Sequence, residues 1–120
     1  MISFKLAYNI TEDGIASMAR NCQNLRCIQV LHYKKIGKPG IDVLIENCQD
    51  LRALEFSNGG PISLEDIQYL VKHMPNLRFM TFTSIRGITE REIKKITQEF
   101  PQISKIPFVP FGSSFKKFII

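Results

Sequence analysis

The stretch "CQNLRCIQVL" runs from Cys22 to Leu31, "CQDLRALEFS" from Cys48 to Ser57, and "MPNLRFMTFT" from Met74 to Thr83. The same phrase is written three times, 26 residues apart. Apolar positions keep that interval on either side of it. Leu25, Leu51, Leu77 and Ile103 form one column, and Ile28, Leu54, Met80 and Ile106 a second. Val30, Phe56, Phe82 and Phe108 form a third, and Ile10, Ile36, Ile62 and Ile88 a fourth. Ile2 and Phe4 take the last two places upstream, so the chain begins inside a unit. Self-similarity at a fixed period marks a building block.

Each unit changes period halfway. Ile28 and Val30, Leu54 and Phe56, and Met80 and Phe82 alternate with other residues, as in a strand with one buried face. The second half places apolar groups at i, i+3, i+4 and i+7. The sets are Ile15/Met18/Ala19/Cys22, Ile41/Leu44/Ile45/Cys48, Ile67/Leu70/Val71/Met74 and Ile93/Ile96/Thr97/Phe100. That spacing makes one stripe of an amphipathic helix. Ser63 with Asp66, and Thr89 with Glu92, place a capping hydroxyl before an acid three residues on. Thr11 opens the first helix, whereas Gly37 and Pro39 stand at the start of the second.

One strand and one helix cannot bury both of their apolar faces alone. Stacked units can, with strands in a parallel sheet and helices as the opposite wall. The expected fold class is therefore α/β. Because helices are wider than strands, the stack is expected to curve.

Cys22 to Cys48 resembles the cysteine-containing leucine-rich repeat of 26 residues, and "ITEDGIASMARNCQNL" (Ile10 to Leu25) is similar to its helical half. The resemblance implies a leucine-rich-repeat solenoid, a right-handed β/α horseshoe arc with the sheet on the concave side and helices on the convex side. Residues 1–120 would be one domain with units 1–24 (partial), 25–50, 51–76, 77–102 and 103–120 (a partial C-terminal cap). It also implies kinship with the substrate-recognition arm of F-box ubiquitin-ligase receptors. Tyr33, Gly59 and Ile85 stand where that family carries Cys or Asn. No F-box interrupts the repeat, so docking to a ligase component would fall to further sequence or to another chain.

The formal charge of +5 is unevenly placed. Residues 1–60 carry 7 basic and 6 acidic groups, and residues 61–120 carry 9 and 5. Such a bias attracts acidic partners or nucleic acid, but the cations are scattered and form no nucleic-acid motif. Arg26, Arg52 and Arg78 recur at one position, either as a basic stripe or as a feature of the repeat. No apolar run approaches the roughly 18 residues of a membrane span. The first residues lack the pattern of a signal peptide or of a mitochondrial presequence. Three cysteines without a CxxC pair argue against a disulfide scaffold or a zinc site, and favour reduced thiols in the cytoplasm or nucleus.

No catalytic constellation, cofactor motif or metal-ligand spacing is visible. His32 and His73 stand apart, "SNGGP" (Ser57 to Pro61) reads as a turn, and Cys27 faces outward without an assured cation beside it. Cys22 and Cys48 share their column with Met74 and Phe100, an apolar role. What remains is the outward face of the strands, mixed apolar and uncharged as protein-binding faces are. Its expected centre is Gln29, Leu31, Glu55, Phe79 and Thr81. The expected function is non-enzymatic protein recognition. The alternatives are an assembly factor of the mitochondrial leucine-rich-repeat type, or a basic nucleic-acid binder. The first strand, lacking a cap before it, is expected to be covered by further sequence, a partner or a second copy. "SSFKKFII" (Ser113 to Ile120) is expected to fold over the other end.

Overall fold

The computed structural model describes residues 3–6, 11–104 and 108–110, with side chains described for 11–104. Strands and helices alternate: β1 (Ser3–Leu6), α1 (Glu12–Asn21), β2 (Cys27–Leu31), α2 (Lys38–Asn47), β3 (Ala53–Gly59), α3 (Leu64–His73), β4 (Phe79–Ile85), α4 (Glu90–Glu99) and β5 (Phe108–Pro110). The strands form one parallel sheet in sequence order. In-register partners are Ile28, Leu54 and Met80 in one row, and Val30, Phe56 and Phe82 in the next. All six side chains are buried against the helices. The Phe56 and Phe82 rings stack at 5.7 Å, and Tyr33 meets Phe56 edge-on at 5.7 Å. This aromatic row runs across strands and ties their register together.

The helix starts follow from local chemistry. The Thr11 hydroxyl accepts from the Gly14 N–H at 3.2 Å, and the Ser63 hydroxyl from the Asp66 N–H at 3.1 Å. Thr89 and Glu92 close a full capping box. At α2 the N-cap is Gly37, which has no side chain to offer. The missing acceptor comes from another helix. Glu12, in the first turn of α1, accepts from the Gly37 N–H at 3.0 Å and the Gly40 N–H at 3.1 Å. One carboxylate thereby satisfies two orphan donors of α2 and joins α1 to α2. Glu12→Ala is expected to lower the unfolding free energy by about 1–2 kcal/mol, as loss of a capping side chain does. Urea denaturation checks this, and an unchanged midpoint would remove Glu12 from that role.

The expected horseshoe arc is corrected. The molecule is a compact α/β domain of 37 × 32 × 26 Å with a radius of gyration of 13.3 Å. A compact chain of this length should have a radius of about 13–14 Å. Five strands spaced by about 4.8 Å span only about 20 Å. That is no more than the depth of a sheet and its helix layer, so no elongated curve can develop. The column Tyr33, Gly59 and Ile85 also differs from the polar turn of the family. Tyr33 is 3% and Ile85 1% exposed, and the Tyr33 ring occupies the space that a Gly59 side chain would need.

On β5, Pro110 stands opposite Ile85 beside a register shift, where a missing donor costs little at a sheet edge. The expected cap over residues 113–120 lies outside the described residues.

Candidate functional site

The two faces of β2, β3 and β4 differ because side chains alternate along a strand. One face packs on the helices. Among the described residues the other carries no covering layer and presents three rows. Cys27, Ala53 and Phe79 lie in register, then Gln29, Glu55 and Thr81, then Leu31, Ser57 and Thr83. All five residues expected at the site are on this face. Gln29, Glu55 and Thr81 adjoin as one row. Leu31 and Phe79 do not adjoin: they sit on β2 and β4 at opposite ends of the patch, about 16 Å apart from strand spacing and rise.

The row is polar but not neutral in character. Gln29 Nε2 donates to Glu55 Oε2 at 2.8 Å, which holds the carboxylate across the β2–β3 boundary. The Thr81 hydroxyl is buried with no partner among the described residues. Phe79 is 57% exposed, the single large apolar side chain among the described residues to be so open. Leu31 is half-buried.

Chemistry on this face is weak. Burial, and then the Glu55 carboxylate, push the Cys27 thiol up, which keeps it protonated and poorly nucleophilic. Cys48 is fully buried, its Sγ lies 4.0 Å from the Ala19 carbonyl, and burial followed by Cys22 raises it as well. All three thiols are free. His32 lies just past β2, while His73 ends α3 with Nδ1 2.9 Å from the Tyr69 carbonyl. Among the described residues, no group of three or more His, Cys, Asp or Glu comes together in a metal-binding arrangement. No helix among them is long and apolar enough to cross a membrane.

The recurring arginines stand where the backbones of successive units join. The Arg26 carbonyl accepts from the N–H groups of Arg52 and Ala53 at 2.8 and 3.0 Å. The Arg52 carbonyl accepts likewise from Arg78 and Phe79 at 2.9 and 3.0 Å. The three side chains are exposed along the amino-terminal edge of the sheet.

At the opposite edge the sequence reading needs amendment. Ser57 to Gly59 continue β3 rather than turning, so only Gly60 and Pro61 of "SNGGP" belong to the connection. His32, Asn58 and Ser84, again 26 apart, adopt left-handed backbone with φ of 55°, 52° and 55°. That recurrence was present in the sequence, but three different residue types hid it.

Compared by sequence with known families and known proteins, the chain matches none. By shape it is similar to a chain in the "Structure of Chaetomium Mex67:Mtr2 subunits". The TM-score is 0.65 at 13% identity, over 87% of this chain and 78% of that one. The expected membership in the cysteine-containing leucine-rich-repeat family of F-box receptors is thereby overturned. The likeness is to a structure of Mex67:Mtr2 subunits and not to a ubiquitin-ligase receptor, and at this identity it establishes a shared compact α/β fold alone.

Proposed function

We propose that this chain is a non-enzymatic recognition domain that binds a protein partner on the open face of its sheet. The observation that carries the reading is Phe79, an aromatic side chain 57% exposed at the end of the Cys27–Ala53 row, next to the half-buried polar row of Gln29, Glu55 and Thr81. Aromatic anchors are what interface centres use. The Gln29–Glu55 hydrogen bond fixes the polar groups beside it. The similar fold in a structure of Mex67:Mtr2 subunits supports a role among proteins. The inert Cys27 thiol and the separated histidines support the absence of catalysis.

Affinity purification from native cells identifies the partner, and titration of the purified pair then tests the face. Phe79→Ala is expected to weaken binding by about 1–2 kcal/mol or more while leaving the unfolding midpoint nearly unchanged. Undiminished binding by a folded Phe79→Ala protein would place the interface elsewhere.

A further inference from the structure

On the open sheet face, charge is confined to one place. Of the side chains in its three rows on β2, β3 and β4, Glu55 is the one ionised at neutral pH. It stands in the middle row on the central strand. The chain as a whole carries +5, so this carboxylate is a local reversal of sign. Its field is felt across the face, since Glu55, after burial, raises the neighbouring Cys27 thiol.

The carboxylate is oriented from one side. Gln29 Nε2 donates to Oε2 at 2.8 Å from β2. A carboxylate has about four lone-pair sites, so this bond leaves acceptor capacity. Lys5 continues the row on β1, one strand beyond Gln29. The side away from Gln29 faces β4, where Thr81 stands in register. Phe79 lies two residues before Thr81, diagonal to Glu55. Strand spacing and rise put these two Cα atoms about 8 Å apart, within reach of one long side chain. Ala53, beside Phe79 and two residues before Glu55, contributes a methyl group alone to the space between them. Arg78 turns to its own loop, where Nη1 donates to the Leu77 carbonyl at 3.1 Å and also to the Pro75 carbonyl.

We propose that this face recognises an arginine side chain of a protein partner, with Glu55 accepting from the guanidinium and the Phe79 ring stacking on its flat side. The proposal rests on the reading of the face as a protein-binding surface. A guanidinium is a planar fork of donors that matches a carboxylate, and its plane also stacks on an aromatic ring. A lysine ammonium pairs with the carboxylate but has no plane to stack. A carboxylate of the partner would meet Glu55 as a like charge. One carboxylate on a chain of net positive charge suits a single arginine and not a basic run.

The test is an NMR titration of the full chain with acetyl-Ala-Arg-Ala-amide and with the same peptide carrying lysine or citrulline at its centre. Citrulline keeps the shape of arginine without its charge. Saturable shifts at the amides of Ala53, Glu55, Phe79 and Thr81 are expected with the arginine peptide. Lysine should bind about threefold more weakly and citrulline about tenfold. Glu55→Gln should weaken the arginine peptide about tenfold and abolish its advantage over citrulline. Phe79→Ala should weaken it about threefold. Both variants should keep the dispersed spectrum of a folded chain. Equal binding of arginine and citrulline, unaltered affinity in folded Glu55→Gln, or arginine shifts confined to other surfaces would overturn the proposal. Titrating the purified partner separates this outcome from failure of the protein-binding reading. Weakening by Phe79→Ala but not by Glu55→Gln overturns the arginine contact and keeps the face as the interface. Weakening by neither overturns both.

Discussion

Phe56→Ala should lower the unfolding free energy by about 3–5 kcal/mol, the range of buried aromatic truncations. Phe56 is fully buried in the central strand. It stands in register between Val30 and Phe82, stacks on the Phe82 ring and receives the edge of Tyr33. Removing its ring deletes the middle of the aromatic row, and the flanking side chains belong to two different strands that cannot both close on the gap. The cost therefore combines lost transfer energy with a residual cavity. Urea denaturation followed by far-UV circular dichroism measures it. A loss below about 1 kcal/mol would mean that the site collapses freely and that the row is not what holds the strands in register. Phe79→Ala on the same sheet is the contrast, since its ring already meets water.

Gly60→Ala should cost about 3 kcal/mol, at the upper end of what inserting a methyl group into a packed site does. A Cβ built at Gly60 would lie 1.7 Å from the Lys34 carbonyl oxygen. That atom is backbone and has no rotamer to retreat to. Relief requires parting the segment after β2 from the segment after β3, which also strains the Gly60 N–H bond to Tyr33. Gly14 makes the control. It sits in α1 with the nearest foreign atom 3.8 Å from its would-be Cβ. Gly14→Ala should therefore raise stability by about 0.5–1 kcal/mol. Thermal unfolding of the two variants side by side should show opposite shifts. Equal shifts would mean that the approach of the two segments is not tight.

How far each feature was legible depends on the range of the interaction behind it. Period two around Ile28 and Val30 and period 3.6 around Ile41 and Leu44 report which face of an element meets water. Neighbours in sequence alone decide that, so strands, helices and buried columns could be read from the chain. The caps at Thr11, Ser63 and Thr89 were legible too, because a hydroxyl reaches only an N–H three residues on. The outward position of Gln29, Glu55, Thr81 and Phe79 followed from strand alternation.

The overall form was decided by tertiary structure. A repeat of 26 residues is compatible with a long arc, but this number of strands makes a sheet about as wide as the domain is deep, and the result is compact. Tertiary structure also decided the cap of α2, where Glu12 answers for a glycine 25 residues away. It also fitted the Tyr33 ring into the space left by Gly59. Each of these pairs two residues of no shared type across the stack. Periodicity shows that residues recur, whereas contact between unlike residues depends on how neighbouring units are docked. By itself the sequence determined the unit and its buried face; the docking of units determined the compact shape, the borrowed cap and the fit of Tyr33 against Gly59.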